Sequence, residues 1–204
     1  MKHIQILELF SGLASWSKPF KEDGMKIITL DYNCKFNPII CEDILKWDYK
    51  NSGLKPDIIF ASPDCTYFSI ARAKYGYPQD KLEWTKSLWL KTFEIIGYFK
   101  PDFYLIENPR GKARGFFPIG YKNLDYCMYG YKIGDYWIKK PTDLWTNIPI
   151  EFRKCDKSHI HTGGFDKKIT NFTKVIRDKA KRAIIPDGLT QEIKRVIYNQ
   201  YIKN

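Results

Sequence analysis

Short apolar runs recur along the first half of the chain and predict the strands of one sheet. Residues 3–9 and 26–30 form such runs, and the segment 14–22 between them has a helical pattern. Two further runs, 57–61 and 102–106, follow turn-prone residues and are apolar enough for buried parallel strands. Strands that alternate with helices predict an open, mostly parallel α/β sheet.

The strongest helical periodicity lies between the third and fourth predicted strands. Apolar side chains recur at helical spacing from Trp84 to Phe99, and Asp80 with Glu83 predicts a capping box at the helix start. The segments 123–129 and 142–147 are predicted strands, and a final helix is predicted after Pro186 and Asp187, with its apolar positions at Leu189, Ile193, Val196, Ile197 and Tyr201.

Ligands of open parallel sheets bind at the carboxyl ends of the strands, so the residues there are the candidates for function. The first strand leads into Glu8 to Ser15, a turn of small residues that lets backbone N–H groups approach a ligand. The turn lacks the glycine spacing of a dinucleotide or phosphate loop, and an ordinary strand-to-helix turn explains it equally well. Asp31 ends the second strand and can accept hydrogen bonds from ribose hydroxyls, and Asp43 can accept one from an adenine amino group. Solvated surface acids are the alternative.

A thiol and a carboxyl group end the next two strands. Cys65 follows the third strand, on a loop where a lowered pKa would make it a nucleophile. Glu107 ends the fourth strand at the same edge. A structural role would explain either residue alone, but their pairing on neighbouring strand ends favours catalysis.

The composition of the chain indicates the class of its binding partner and its cellular compartment. The chain has 204 residues, enough for one domain, and its net charge of +11 favours nucleic acid over a merely solubilising surface. The absence of an apolar run of membrane-spanning length predicts a cytoplasmic protein. Five scattered cysteines argue against a disulfide framework, so Cys34 and Cys41 are predicted to be packing thiols.

The strand-end residues and several later segments together resemble the C5-cytosine DNA methyltransferase family, and most of all its small, phage-type members. The segments that carry the resemblance are Leu9-Phe10-Ser11-Gly12, Ser62-Pro63-Asp64-Cys65 with Ser69, Glu107-Asn108-Pro109, residues 126–130, residues 139–147 and Ile185-Pro186. The resemblance spans nearly the whole chain. It implies the Rossmann-like sheet of class I S-adenosylmethionine-dependent methyltransferases, with a much reduced target-recognition region, and it implies a role in DNA methylation, such as restriction-modification.

The resemblance also implies roles for individual residues. Cys65 would add to C6 of a flipped-out cytosine, and Glu107 would bond the ring N3 and the exocyclic amine. Asn108, Lys139 and Lys140 would complete the catalytic set. The expected S-adenosylmethionine contacts are Leu9, Phe10, Ser11, Gly12, Leu13, Ser15, Asp31, Tyr32, Asp43, Ile44, Ser62 and Pro63.

Two departures from the family pattern concern the catalytic residues. Asp64 replaces a proline beside the nucleophile, and a carboxylate there should raise the thiol's pKa and lower activity. Lys139 and Lys140 replace an arginine-rich segment, so point charges stand where a bidentate fork is usual.

A third departure is the short target-recognition region. The sequence predicts a core at 1–148, a basic target-recognition-like segment at 149–183 and a helix at 184–204 that returns to the core. The partner is predicted to be double-stranded DNA, bound by a monomer. The predicted nucleic-acid contacts are Arg72, Arg110, Arg153, Lys154, Lys167 and Lys168.

Two alternatives remain open from the sequence. The same chemistry on RNA would fit the residues, as would a weakly active or inactive nucleic-acid-binding relic of the fold. No metal is expected, because Cys127, Cys155, His159 and His161 lack the spacing of a standard zinc finger, although a structural zinc site at these residues is the alternative.

Overall fold

The computed structural model describes residues 4–133, 136–158, 161 and 182–203. Nine strands and four α-helices occur among these residues. The strands are β1 (Gln5–Leu9), β2 (Lys26–Asp31), β3 (Ile40–Cys41), β4 (Ile58–Ala61), β5 (Phe103–Pro109), β6 (Tyr121–Asp125), β7 (Lys132–Ile133), β8 (Tyr136–Trp137) and β9 (Pro141–Thr146). The helices are α1 (Lys18–Glu22), α2 (Gln79–Phe99), α3 (Ala113–Phe116) and α4 (Asp187–Lys203).

Seven of the strands form one mixed sheet in the order β3-β2-β1-β4-β5-β9-β6. The first five are parallel, whereas β9 runs antiparallel to both β5 and β6. The order steps outward from β1 in both directions, so the sheet has a switch point between β1 and β4. This is the Rossmann-like arrangement, and it confirms the predicted fold class.

The apolar side chains of successive strand residues point to opposite faces of the sheet and form two cores. On one face, residues such as Ile6, Phe60 and Leu105 pack under α4. On the other face, residues such as Leu7 and Ile106 pack under α2. Both faces are therefore covered, which explains why the strands are continuous apolar runs. No helix among the described residues has the length and apolar character needed to cross a bilayer.

The starts of two predicted helices and the end of one predicted strand were wrong in detail. Helix α1 begins at Lys18 rather than near Ala14, because Ala14 has a left-handed backbone (φ 52°) and Pro19 suits only the first turn of a helix. Helix α2 begins at Gln79 after Pro78, without a side-chain cap, so Asp80 lies in its first turn instead of capping it.

The predicted strand 123–129 ends at Asp125 and continues as a 3₁₀ turn, Tyr126–Tyr129. The predicted strand 142–147 is β9, which pairs with this strand and with β5. The other predicted strands and the final helix lie within a few residues of their predicted bounds.

Candidate active site

A tight loop after β4 presents Cys65 at the carboxyl edge of the sheet. The Cys65 carbonyl accepts hydrogen bonds from the N–H groups of Phe68 (3.0 Å) and Ser69 (2.8 Å). The Asp64 carboxylate accepts the N–H of Thr66 at 2.6 Å. The thiol of Cys65 is half-buried and reduced. The loop is thus fixed by its own hydrogen bonds on both sides of the sulfur-bearing residue.

The loop is also pressed against the chain that follows β5. Ser69 pairs with Gly111 in an isolated bridge, and the N–H of Lys112 donates to the Phe68 carbonyl at 2.8 Å. A Cβ on Gly111 would lie 2.2 Å from that carbonyl oxygen, so only glycine fits. This contact sets the distance between the loops after β4 and β5.

Glu107 lies on β5 in a buried polar group. Its Oε1 accepts the hydroxyl hydrogen of Tyr126 at 3.0 Å and lies 3.9 Å from the Lys140 ammonium. Burial raises the pKa of Glu107, while Lys140 and hydrogen bonds from Tyr126 and Ser62 lower it. Because burial dominates, Glu107 holds a proton to a higher pH than an ordinary glutamate does.

Two side chains tie Glu107's strand to the nucleophile loop. Asn108 is fully buried, and its amide donates to the Pro63 carbonyl at 3.0 Å. Ser62 is hydrogen-bonded to Glu107, and its hydroxyl accepts the indole N–H of Trp16 at 3.1 Å. Asn108 therefore positions the loop that carries the thiol, and Ser62 connects the acid with the turn after β1.

Lys139 and Lys140, which the resemblance implied to be catalytic, lie directly before β9. The Lys140 ammonium is 4.4 Å from the centre of the Tyr126 ring and donates to the Arg182 carbonyl at 3.1 Å. Lys139 contributes its carbonyl to the N–H of Tyr126, at 2.7 Å. Lys140 therefore adds its charge beside the Glu107 carboxyl, whereas Lys139 contacts Tyr126 through its backbone carbonyl.

Two buried carboxylates accept hydrogen bonds from the backbone of the turn after β1 and of the residues that follow it. Phe10, Gly12 and Ala14 all have left-handed backbones, with φ of 56°, 49° and 52°. Asp31 accepts the N–H of Gly12 at 2.8 Å through one oxygen. Glu8 accepts the N–H groups at positions 16 and 17, at 3.3 and 2.9 Å.

Burial raises the pKa of Glu8 to about 7, although its hydrogen bonds lower it. This residue was not among the predicted site residues. The sequence signal was an acid at the end of an apolar strand, directly before a turn of small residues.

The turn lines part of a cavity of about 670 Å³. Of the predicted cofactor contacts, Ser11, Gly12 and Leu13 line this cavity, and Asp31 and Asp43 are not among its lining residues. The predicted cofactor contacts are therefore spread beyond this cavity, along the ends of β1, β2, β3 and β4. Leu9 and Ile44 are buried, whereas Tyr32 is 75% exposed.

Cys34 and Cys41 form a disulfide, and both residues are exposed. The predictions that they lack partners and serve as packing thiols were wrong. A short 3₁₀ turn and the left-handed Asn37 reverse the chain, and Cys41 then pairs with Asp31 in the parallel register of β3 and β2. The disulfide closes the loop between Asp31 and Asp43, the two acids predicted to contact the cofactor.

The predicted nucleic-acid contacts differ in their environments. The Arg72 guanidinium lies 4.4 Å from the centre of the Tyr67 ring, and the Arg110 Nε lies 4.0 Å from an Asp143 oxygen. Arg153 donates to Glu192 at 2.6 Å, so part of its charge is already paired, and Lys154 is exposed. Lys167 and Lys168 lie outside the described residues.

Comparison with known proteins shows the family to which this chain belongs. The model of C-5 cytosine-specific DNA methylase matches residues 4–114. A protein of Frog virus 3 (isolate Goorha), named "Probable DNA (cytosine-5)-methyltransferase", is 35% identical over an alignment of 163 residues, and the match covers 71% of this chain and 71% of that protein. The chain belongs to the C-5 cytosine-specific DNA methylase family. Cytosine-5 methylation of DNA is therefore its class of activity.

The solved structure of one methyltransferase, EhMeth, agrees with this chain at the level of the fold. The methyltransferase EhMeth of Entamoeba histolytica is 16% identical with a TM-score of 0.53, and the match covers 79% of this chain and 57% of that one. DNMT2 of Spodoptera frugiperda is 18% identical with a TM-score of 0.48, covering 78% and 58%. The present family member thus spans little more than half the length of these two structures.

Proposed function

We propose that this chain transfers a methyl group from S-adenosylmethionine to C5 of cytosine in double-stranded DNA, through a covalent adduct of Cys65 at C6. The observation that carries the proposal is the buried Glu107 group on β5, joined through Asn108 to the loop that bears the thiol. A nucleophile and a proton-holding carboxyl on adjacent strand ends are the two groups that the reaction requires.

The chemistry assigns a separate task to each group. The Cys65 thiolate forms a bond to C6, which makes C5 electron-rich enough to take the methyl group. Glu107, protonated more readily because it is buried, holds a proton at the ring N3 and neutralises the charge that the adduct places there. Loss of the C5 proton and departure of the Cys65 sulfur from C6 then restore the aromatic ring. The target base must leave the DNA stack to reach both groups.

The residues present fit an S-adenosylmethionine site. The turn from Phe10 to Ser15 brings backbone groups to the end of β1. At the end of β2, one Asp31 oxygen accepts the N–H of Gly12 and the other accepts the N–H of Asn33. A carboxylate oxygen accepts two hydrogen bonds, so Asp31 can also accept the ribose hydroxyls. When bound, the cofactor supplies an electrophilic methyl group. Asp43 would contact its adenine.

Asp64 bears on the rate rather than on the assignment of the nucleophile. Its carboxylate bonds to the Thr66 N–H, which offsets part of its charge beside the thiol. We expect slower adduct formation than a proline at this position would give.

Six basic residues are proposed to contact the nucleic acid: Arg72, Arg110, Arg153, Lys154, Lys167 and Lys168. The chain is proposed to act as a monomer.

The experiment is covalent trapping with labelled S-adenosylmethionine and duplex DNA that contains 5-fluorocytosine, since fluorine at C5 blocks departure of the sulfur. We expect a stable complex with the wild type, none with Cys65→Ser, and strongly slowed trapping with Glu107→Gln. Glu83→Gln, an exposed acid on α2, is the matched control and should trap like the wild type.

A parallel assay with 5-fluorocytosine in RNA separates the alternatives. Trapping on RNA alone would replace DNA by RNA as the substrate. Binding of both polymers without a complex on either would contradict the proposal and would favour the inactive relic. Circular dichroism of each variant shows whether a loss reflects chemistry or misfolding.

A further inference from the structure

We propose that Cys127, Cys155 and His161 form a zinc site that anchors the start of the basic segment to the wall of the active site. The ligand atoms of these three residues all lie within 4.8 Å of one another. The Cys155 sulfur is 3.2 Å from the His161 Nε2. Tetrahedral zinc with sulfur and nitrogen ligands separates its ligand atoms by about 3.5–3.8 Å, so the three groups need to move little to share an ion.

Three separate segments supply the ligands. Cys127 lies in the 3₁₀ turn after β6 and is 1% exposed. Cys155 is held by its N–H, which donates to Asp125 at 2.9 Å, and His161 pairs through its backbone with Trp137 of β8. This convergence explains why the sequence spacing does not match a zinc finger. It also means that an ion would cross-link parts of the chain that are distant in sequence.

The backbone around Cys155 directs an N–H group at the cysteine sulfur. The N–H of Lys157 donates to the Cys155 sulfur at 3.3 Å. Lys157 adopts a left-handed φ of 65°, which is unfavourable for a lysine, and the bond to sulfur accompanies this conformation. Backbone N–H groups directed at a ligand sulfur are outer-shell contacts that orient a metal ligand and tune it.

The three ligand side chains fit a bound metal ion better than a second catalytic centre. A half-buried thiol beside an imidazole is also the arrangement of a cysteine nucleophile. Here a second thiol completes the group, and it is buried where no substrate would reach it. Two sulfurs and one imidazole, with no carboxylate among them, are the soft ligands that zinc prefers over magnesium or calcium. His159, the fourth residue of the zinc site considered from the sequence, lies outside the described residues.

The zinc site would affect the active site through Tyr126. Tyr126, adjacent to Cys127, donates its hydroxyl hydrogen to Glu107. An ion at Cys127 would fix the turn that carries this tyrosine and would hold Cys155 and His161 beside it. The proposal concerns structure and does not depend on which nucleic acid the protein methylates.

The test is metal analysis of full-length protein prepared without chelators. We expect about one zinc per chain in the wild type and in the matched thiol control Cys65→Ser. We expect at least tenfold less in Cys155→Ser and in His161→Ala, whose ligands are only half-buried and so should tolerate replacement. Cobalt added to chelator-treated wild type should give the intense visible and near-ultraviolet absorption of tetrahedral cobalt bound to thiolate.

Several results would overturn the site. Wild type that neither contains zinc nor takes up added zinc or cobalt at micromolar concentration would do so, as would equal zinc in the wild type and both ligand variants. Detection by mass spectrometry of a Cys127–Cys155 disulfide in freshly isolated, unreduced protein would replace the metal by a covalent bond. If a ligand variant fails to fold, cobalt absorption of the wild type decides alone.

Discussion

Replacement of Glu8 by glutamine should remove a large pH dependence from the stability of the protein. Glu8 is buried beneath the turn after β1, and burial raises its pKa from 4.5 to about 7. A carboxyl whose pKa is higher in the folded state stabilises that state fully below the unfolded pKa. This contribution is lost as the pH rises through the folded pKa. The window for the wild type is therefore about pH 4.5 to 7.

The magnitude follows from the two pKa values. Each pH unit between them corresponds to about 1.4 kcal/mol, so the wild type should lose on the order of 2–3 kcal/mol of unfolding free energy between pH 5 and pH 8 from this residue. Glu8→Gln cannot ionise and should not show that loss. At either pH it will also lack one acceptor for the N–H groups of Trp16 and Ser17, which lowers its stability by a constant amount.

The assay is urea unfolding of the wild type, Glu8→Gln and the exposed control Glu22→Gln at both pH values. The quantity of interest is the change with pH in the stability difference between each variant and the wild type, since other titrating groups cancel in it. We expect this change to be on the order of 2–3 kcal/mol in favour of Glu8→Gln and within about 0.5 kcal/mol of zero for Glu22→Gln. Equal changes for the two variants would refute the buried, proton-holding state of Glu8.

Three further predictions concern the site. Gly111→Ala should destabilise the protein by more than about 2 kcal/mol and abolish methylation, because its Cβ would collide with a loop carbonyl; an unchanged melting temperature would contradict the packing. Lys140→Met should raise the pKa of Glu107, because it removes the cation that lowers it, and an unmoved pH–rate profile would show that the ammonium does not act on this carboxyl. Reduction of the Cys34–Cys41 disulfide should weaken S-adenosylmethionine binding several-fold by calorimetry, and a double serine variant that binds like the oxidised wild type would argue against this.

The sequence was sufficient to predict β1, β2, β4 and β5 because each is a short apolar run in a sheet covered on both faces. The two-residue strands β3, β7 and β8 were not predicted, because they are too short to show a pattern. The final helix was equally visible from its periodicity. The start of α2 was misplaced because acids in the first helical turn are favourable even when they do not cap it, so Asp80 and Glu83 allow two starting points.

The site was predictable where it follows strand ends and not where it depends on distant pairing. Cys65 follows β4 and Glu107 lies near the end of the neighbouring parallel strand β5, so their placement at one edge of the sheet could be inferred from the strand order. The contact of Tyr126 with Glu107 depends on the antiparallel insertion of β9 between β5 and β6, which no local pattern encodes. The same holds for the Cys34–Cys41 disulfide, which depends on the register of β2 and β3.

The bond from Lys140 to the carbonyl of Arg182 has a consequence for how the protein can change in evolution. Together with the backbone pairing of His161 with Trp137 of β8, it gives the residues on either side of positions 162–181 defined contacts. The loop-closure entropy of a connection between two such points rises by only about 0.6 kcal/mol for each doubling of its length. New sequence could therefore be grafted between these two points with little effect on the catalytic core. This makes the interval a natural place to exchange or enlarge a DNA-reading element.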